Sequence, residues 1–257
     1  MANRPNAPPA HQIGLDGRET DLLHWIYQRS DIKQLHGNPT AILKAIDEYN
    51  TSQNLLINVG AAKGAVITDL VTSRKPSLMI ELGAYVGYSG ILFGNALKSH
   101  GGKLISIEMN PELAAVSNQL LELAGLRDTV RVIVGSSANV LVDLVREKKE
   151  FSEVDFVFVD HWQDAYLPDM WLLEELSVLV PGKSVVVADN VIFPGAPAYL
   201  EWVQANSEKR KELLKKADVG SLVPNPDLTF ETIVHEFQLN MGEAHSFKDG
   251  VSVTKIL

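Results

Sequence analysis

Val154-Asp155-Phe156-Val157-Phe158-Val159 is an apolar run of strand length that stops at Asp160-His161-Trp162, and Ser184-Val185-Val186-Val187-Ala188 is a second that stops at Asp189-Asn190. Short, nearly continuous apolar runs bounded by polar residues are the pattern of strands buried on both faces, as in a parallel sheet. The same pattern extends outward. Upstream, Leu78-Met79-Ile80, Leu104 to Ile107 and Val130 to Val134 read as strands. Helical periodicity fills the gaps at Gly87 to Leu97, from Asn110-Pro111-Glu112 onward, at Ser137 to Lys148 and at Leu167 to Leu179. Asn110 and Pro111 have the chemistry of an N-cap and a first helical residue.

Strands and helices alternate without a break from about Lys75 to Pro194, which predicts an α/β fold: a Rossmann-like, doubly wound, mostly parallel sheet. Residues 1–19, rich in Pro, Asn and Ala at their start, are expected to be a mobile tail, and 20–257 a single domain. From Thr20 to about Arg74 the chain looks helical, with stripes Leu22, Leu23, Ile26, Tyr27 and Ile42, Ala45, Ile46, Tyr49, and a third helix from Ala61 to Ser73. These helices are expected to cover one side and the mouth of the sheet. At the other end, Thr229 to Leu239 and Val251 to Ile256 read as an antiparallel hairpin turning at Lys248-Asp249-Gly250.

In 257 residues the net charge is −9, which argues against nucleic acid as the main partner, because phosphate binding needs a basic face. The run Glu208 to Lys216 mixes signs and reads as a solvated helix face. There is no cysteine, so disulfides, zinc-thiolate sites and a cysteine nucleophile are all excluded. With neither a signal peptide nor a membrane-length apolar stretch, the expectation is a cytoplasmic protein without a membrane partner, acting on a small molecule. Oligomeric state is not legible.

If the two strands ending in Asp160 and Asp189-Asn190 are parallel neighbours, their oxygens converge beyond the carboxyl ends, where open α/β sheets bind ligands. Oxygen donors with no soft ligand suit a hard divalent cation, Mg2+ before Ca2+ or Mn2+. Either aspartate taken alone reads equally well as a helix cap or turn former. Nearer the start, Glu81-Leu82-Gly83-Ala84-Tyr85-Val86-Gly87-Tyr88-Ser89 places small residues where a ligand could approach the backbone, ahead of a helix N-terminus. The glycine spacing is not that of a dinucleotide site, and Glu81 would repel a pyrophosphate there. Glu108, 27 residues after Glu81, can accept both hydroxyl hydrogens of a ribose. Individually, Glu81 also reads as a lysine partner and Glu108 as helix-start charge. Together they describe a nucleoside pocket whose ligand lacks phosphates.

The chain resembles the small S-adenosylmethionine-dependent O-methyltransferases, the catechol O-methyltransferases most closely. The resemblance runs in order through His36-Gly37-Asn38, Asn58-Val59-Gly60-Ala61-Ala62-Lys63-Gly64, Glu81 to Ser89, Glu108-Met109-Asn110-Pro111, Ala124-Gly125-Leu126, Asp160-His161-Trp162, Tyr166-Leu167-Pro168-Asp169, Ala188-Asp189-Asn190-Val191 and Pro194-Gly195. Residues Ser207 to Leu228 have no convincing match. The resemblance implies that Glu108 holds the ribose, Met109 flanks the adenine, and Val59, Glu81, Gly83, Tyr85 and Ser89 surround the methionine part of S-adenosylmethionine. It also implies that Ser137 and Trp162 complete the adenine pocket and that Asp160 both binds the cofactor and joins Asp189 and Asn190 in holding Mg2+. Trp162 as core filler is the competing reading. Glu243 falls where the family has a carboxylate that binds the second hydroxyl of a catechol-like acceptor, if Asp249-Gly250 is aligned with the family's turn.

One departure bears on the chemistry. The family typically has a lysine base three residues after the first metal aspartate, and this chain has Gln163, whose amide cannot take a proton. Ala165 and Ala138 replace an arginine and a polar residue of the family pattern. Metal acidification of the hydroxyl, a relay through His161 or Asp164, or redirected activity would each accommodate Gln163. A binding protein that keeps the pocket without efficient turnover is the runner-up, and a nicotinamide dehydrogenase ranks third on its glycine pattern.

Overall fold

A computed structural model describes residues 16–241 and 245–257, without the side chains of 240, 241 and 245. Contacts divide the chain into two compact units, one ending at Ser136 and the other running from Ser137 to Leu257. The described strands are β1 Leu78–Leu82, β2 Lys103–Glu108, β3 Val130–Val134, β4 Phe156–Val159, β5 Val185–Ala188, β6 Phe230–Met241 and β7 His245–Ile256. They form a mixed seven-stranded sheet in the order β3-β2-β1-β4-β5-β7-β6. This is the expected α/β sheet with antiparallel C-terminal strands.

In the unit ending at Ser136, β1 pairs with β2 and β2 with β3, all parallel. Met79, Ile80 and Leu82 are fully buried, as strands covered on both faces require. Helices α5 Tyr88–Lys98 and α6 Pro111–Leu123 pack against β2 and β3. Helix α6 starts where the sequence indicates, with the Asn110 side chain accepting from Glu112 N at 2.8 Å. Four helices precede the sheet: α1 Arg18–Tyr27, α2 Ile32–Leu35, α3 Pro39–Ser52 and α4 Gly60–Arg74. Their stripes bury Leu22, Ile26, Ile42, Ala45, Ile46 and Tyr49, each large aliphatic side chain contributing roughly 1.5–3 kcal/mol of transfer free energy. Tyr27 does not join its stripe and is exposed. Nor do these helices lie mainly on strands: α1 packs on α6, and α3 and α4 pack on α5, making an outer layer over other helices. Helix α1 also begins inside the expected tail, because Glu19 is buried with its carboxylate accepting from Tyr85 Oη at 2.7 Å.

In the unit from Ser137, β4 and β5 are parallel, while β7 lies antiparallel to both β5 and β6. Helices α7 Ser137–Val142, α8 Gln163–Glu175, α9 Pro197–Gln204 and α10 Ser207–Leu214 complete it, α7 running into a π-helical turn at Asp143–Glu147. No described helix is long and apolar enough to cross a membrane. Helix α8 starts four residues before the expected Leu167, because the chain turns helical directly after Trp162 and tolerates Pro168 inside. Helix α10 is not only a solvated face. Arg210 is buried, its guanidinium carbon 4.3 Å from the Phe230 ring centroid and 5.7 Å from that of Trp202.

The hairpin differs from expectation in an informative way. Lys248-Asp249-Gly250 is not a turn but part of β7, with Phe237 opposite Asp249 and Glu236 opposite Gly250. Lys-Asp-Gly has turn composition, yet here each of the last two residues meets a tertiary demand. A Cβ on Gly250 would come within 2.7 Å of Ile192 Cδ1, so a larger residue there would have to displace the Ile192 side chain, and the Asp249 carboxylate is buried against the turn after β5. The strands instead connect through residues 242–244, outside the described residues.

Candidate active site

Glu81 and Glu108 stand at the carboxyl ends of β1 and β2. Glu81 is fully buried; Ser106 Oγ donates to its Oε2, and Oε1 has no hydrogen-bond partner among the described residues. Burial pushes its carboxyl up to about 7, against the hydrogen bonding of Ser106 and Ser89 and with a smaller push from the Glu108 charge. An unsatisfied acceptor oxygen in an apolar setting fits a cationic ligand group. Glu108 braces the loop after β1. Its Oε2 accepts from Ala84 N at 3.1 Å and Tyr85 N at 2.9 Å, and its Oε1 from Asn110 N at 2.8 Å.

The loop between them needs its glycines. Gly83 and Gly87 have φ of 100° and 87°, and a Cβ on Gly87 would lie 3.2 Å from Ser117 Cα on α6. Tyr85 holds φ 47° without that freedom, fixed by its N–H on Glu108 and its hydroxyl on Glu19. In the same unit, Val59 is buried at the start of α4, Ser89 is buried in the first turn of α5, and Met109 is exposed just after β2.

In the unit from Ser137, Val159 of β4 pairs with Ala188 of β5 and Asp189 N donates to Val159 O at 3.0 Å. Asp160 and Asp189 therefore leave neighbouring parallel strands side by side, about 4.8 Å apart by strand spacing. Asn190 follows in the left-handed region, φ 54°. Its Nδ2 donates to Asp249 Oδ2 at 2.8 Å. Tyr166 is buried among these groups, and its hydroxyl is pushed well above the ordinary tyrosine range by burial and by the charges of Asp160, Asp189 and Asp249. Such concentrated negative charge, built of hard oxygen donors, suits a hard cation. Among the described residues no three His, Asp or Glu side chains form a metal cluster, so the candidate set is two carboxylates completed by the Asn190 amide.

His161 turns toward the interior of this unit. Its Nε2 lies 2.8 Å from Asp169 Oδ2, which also accepts from Ser137 Oγ, and its ring stacks on Tyr166 at 5.2 Å. Its Nδ1 is buried with no hydrogen-bond partner among the described residues. Trp162 is 39% exposed, which rules out a core-filling role, and Gln163 is half-buried as the first residue of α8. Glu243 lies outside the described residues. Two participants escaped sequence reasoning. Asp249 was hidden by its turn-like neighbours; Asp169, three residues after buried Tyr166, shares its helix face, the one signal available for it.

Residues 37–221 match the family model described as O-methyltransferase. Over 190 residues the chain is 43% identical to bovine (Bos taurus) catechol O-methyltransferase, covering 74% of this chain and 67% of that protein. The chain belongs to the catechol O-methyltransferase family. This O-methyltransferase is also 39% identical over 200 residues to mouse (Mus musculus) catechol O-methyltransferase, covering 77% and 73% of the two chains. Its fold is shared with a Bacillus cereus O-methyltransferase bound to SAH, at TM-score 0.57 and 20% identity over 91% of this chain and 99% of that one. A Streptomyces achromogenes O-methyltransferase, TomG, in complex with SAM, gives TM-score 0.55 at 24% identity, with 84% and 89% covered. The protein is accordingly an S-adenosylmethionine-dependent O-methyltransferase. β7, which carries Asp249, lies beyond the residues that the family model matches.

Proposed function

We propose that this chain transfers the methyl group of S-adenosylmethionine to one hydroxyl of a catechol-like acceptor, with the help of Mg2+. The observation that carries the reading is the side-by-side exit of Asp160 and Asp189-Asn190 from paired strands, in a chain 43% identical to a catechol O-methyltransferase. In this reading Glu108 holds the ribose while bracing the loop, Met109 flanks the adenine with Ser137 and Trp162, and Val59, Gly83, Tyr85 and Ser89 enclose the methionine part. Glu81 offers its buried oxygen to the positive charge there. Asp160, Asp189 and Asn190 would hold the ion, which when bound would acidify a chelated hydroxyl and fix its position. Glu243 would meet the second hydroxyl.

Proton removal is where this chain departs from its relatives' pattern. Gln163 has no basic atom, and His161 ties its Nε2 to Asp169 while its remaining nitrogen, Nδ1, is buried away from solvent. In this reading the acceptor proton would leave to water or hydroxide, the bound ion supplying the acidity, and turnover should favour acceptors made acidic by electron-withdrawing groups. Methyl transfer from S-adenosylmethionine to a panel of catechols and matched monophenols, with and without Mg2+, tests the reading. Equal rates on monophenols, or rates indifferent to exhaustive chelation, would replace it with a metal-independent methyltransferase.

A further inference from the structure

A side-chain amide has one end that accepts and one that donates, and only the oxygen end can ligate a cation. Which end of Asn190 faces outward is therefore a chemical variable. Asp249 fixes it. Its Oδ2 accepts from Asn190 Nδ2 at 2.8 Å, while its Oδ1 accepts from Phe193 N at 3.0 Å and from Gly250 N at 2.7 Å. These three groups are N–H donors, and an ionised carboxylate can only accept, so it compels the Asn190 NH2 group to face it. With no exposed surface and two backbone donors on one oxygen, it cannot rotate away. We propose that Asp249 is a positioning residue that sets Asn190 oxygen-outward and thereby sets metal affinity. It rests on the metal-dependent reading above. Groups that orient a metal ligand typically matter 10–100-fold in affinity.

Asp249→Asn poses a dilemma for the pair. If the new amide keeps its oxygen on the Asn190 NH2, its own NH2 points at the N–H groups of Phe193 and Gly250; if it flips, Asn190 must turn its NH2 outward. Adding Asn190→Asp resolves the conflict, because a carboxylate presents oxygen at both ends and can accept from the NH2 of the flipped amide. The experiment titrates Mn2+ into the full chain with S-adenosylhomocysteine bound, by electron paramagnetic resonance, for native protein, Asp249→Asn and Asn190→Asp/Asp249→Asn. S-adenosylhomocysteine affinity and thermal unfolding are measured alongside to verify the fold. The expected result is a loss of about 10–100-fold in Mn2+ affinity for Asp249→Asn and recovery of most of it in the double variant. Unchanged affinity in Asp249→Asn overturns the inference alone. Loss without recovery assigns Asp249 to holding the backbone and overturns it too. No Mn2+ binding by the native protein overturns the metal reading itself, and this inference with it. Should Asp249→Asn not fold, native-protein NMR decides: slow hydrogen exchange of the Asn190 NH2 protons, identified by their disappearance in Asn190→Asp, supports the clamp, and rapid exchange overturns it.

Discussion

His161 Nε2 lies 2.8 Å from Asp169 Oδ2, so the histidine next to the first candidate metal ligand is tied to a buried carboxylate. Its other nitrogen, Nδ1, is buried away from solvent, so the ring serves as a structural peg rather than a proton shuttle to water. His161→Gln should destabilise the fold by about 1–2 kcal/mol, as the loss of a charge-assisted buried hydrogen bond does, yet leave the shape of the pH–rate profile unaltered. Denaturant unfolding and the profile of kcat together check this; a profile that loses an inflection on removing His161 would make it the relay.

Gln163→Lys should restore a base where the family usually has one. General bases contribute about a hundredfold or more, so turnover near neutral pH should rise and its climb with pH should flatten. Paired pH–rate profiles of the native protein and variant, with cofactor and Mg2+ affinities matched, measure it. An unchanged profile would place the acceptor hydroxyl out of reach of position 163.

Glu81 couples stability to pH. Its folded carboxyl titrates at about 7 against 4.5 as the ordinary value, so its contribution is fully present below 4.5 and is lost as pH rises through 7. Buried Glu174, also pushed up to about 7, acts in the same direction, so the Glu81 part is read as a difference. Glu81→Gln should be less sensitive to pH between about 5 and 8 than native protein in thermal unfolding. A sulfonium favours the ionised form, so the preference for S-adenosylmethionine over S-adenosylhomocysteine should grow across that window in native protein only. Calorimetric titrations at several pH values that give a constant ratio would remove Glu81 from the cofactor's positive charge.

Glu108→Ala and Asp189→Ala should separate the two functions. Losing Glu108 removes three backbone anchors along with the proposed ribose contact, and cofactor affinity should fall by roughly 3 kcal/mol or more. Asp189→Ala should bind S-adenosylhomocysteine nearly as before but lose metal-dependent turnover. Calorimetry and a chelator-controlled assay resolve the pair.

The sheet was legible because its strands are buried on both faces and announce themselves as apolar runs, and because Asn110-Pro111 is a local signal that needs nothing from the rest of the chain. Strand-end carboxylates were legible for the same reason. Partnerships across long separations were not: nothing near Asp249 points to Asn190, and composition pointed to a turn. Helix α9 also escaped notice, because Pro194-Gly195-Ala196-Pro197 reads as a break while Pro197 is in fact its first residue. Arg210 shows the limit of charge patterning, since one cation of a mixed run is buried between rings that come from α9 and β6.

The 59-residue separation of Asn190 from Asp249 also has a consequence in time. On a ribosome adding about 5–20 residues per second, the turn after β5 waits about 3–12 s for its clamp. Throughout that interval β5, with Val185, Val186 and Val187 in a row, lacks the antiparallel neighbour that β7 will supply, and an unpaired valine edge invites pairing with other chains. Yield of folded protein should therefore depend on how quickly the segment between Asn190 and Asp249 is synthesised.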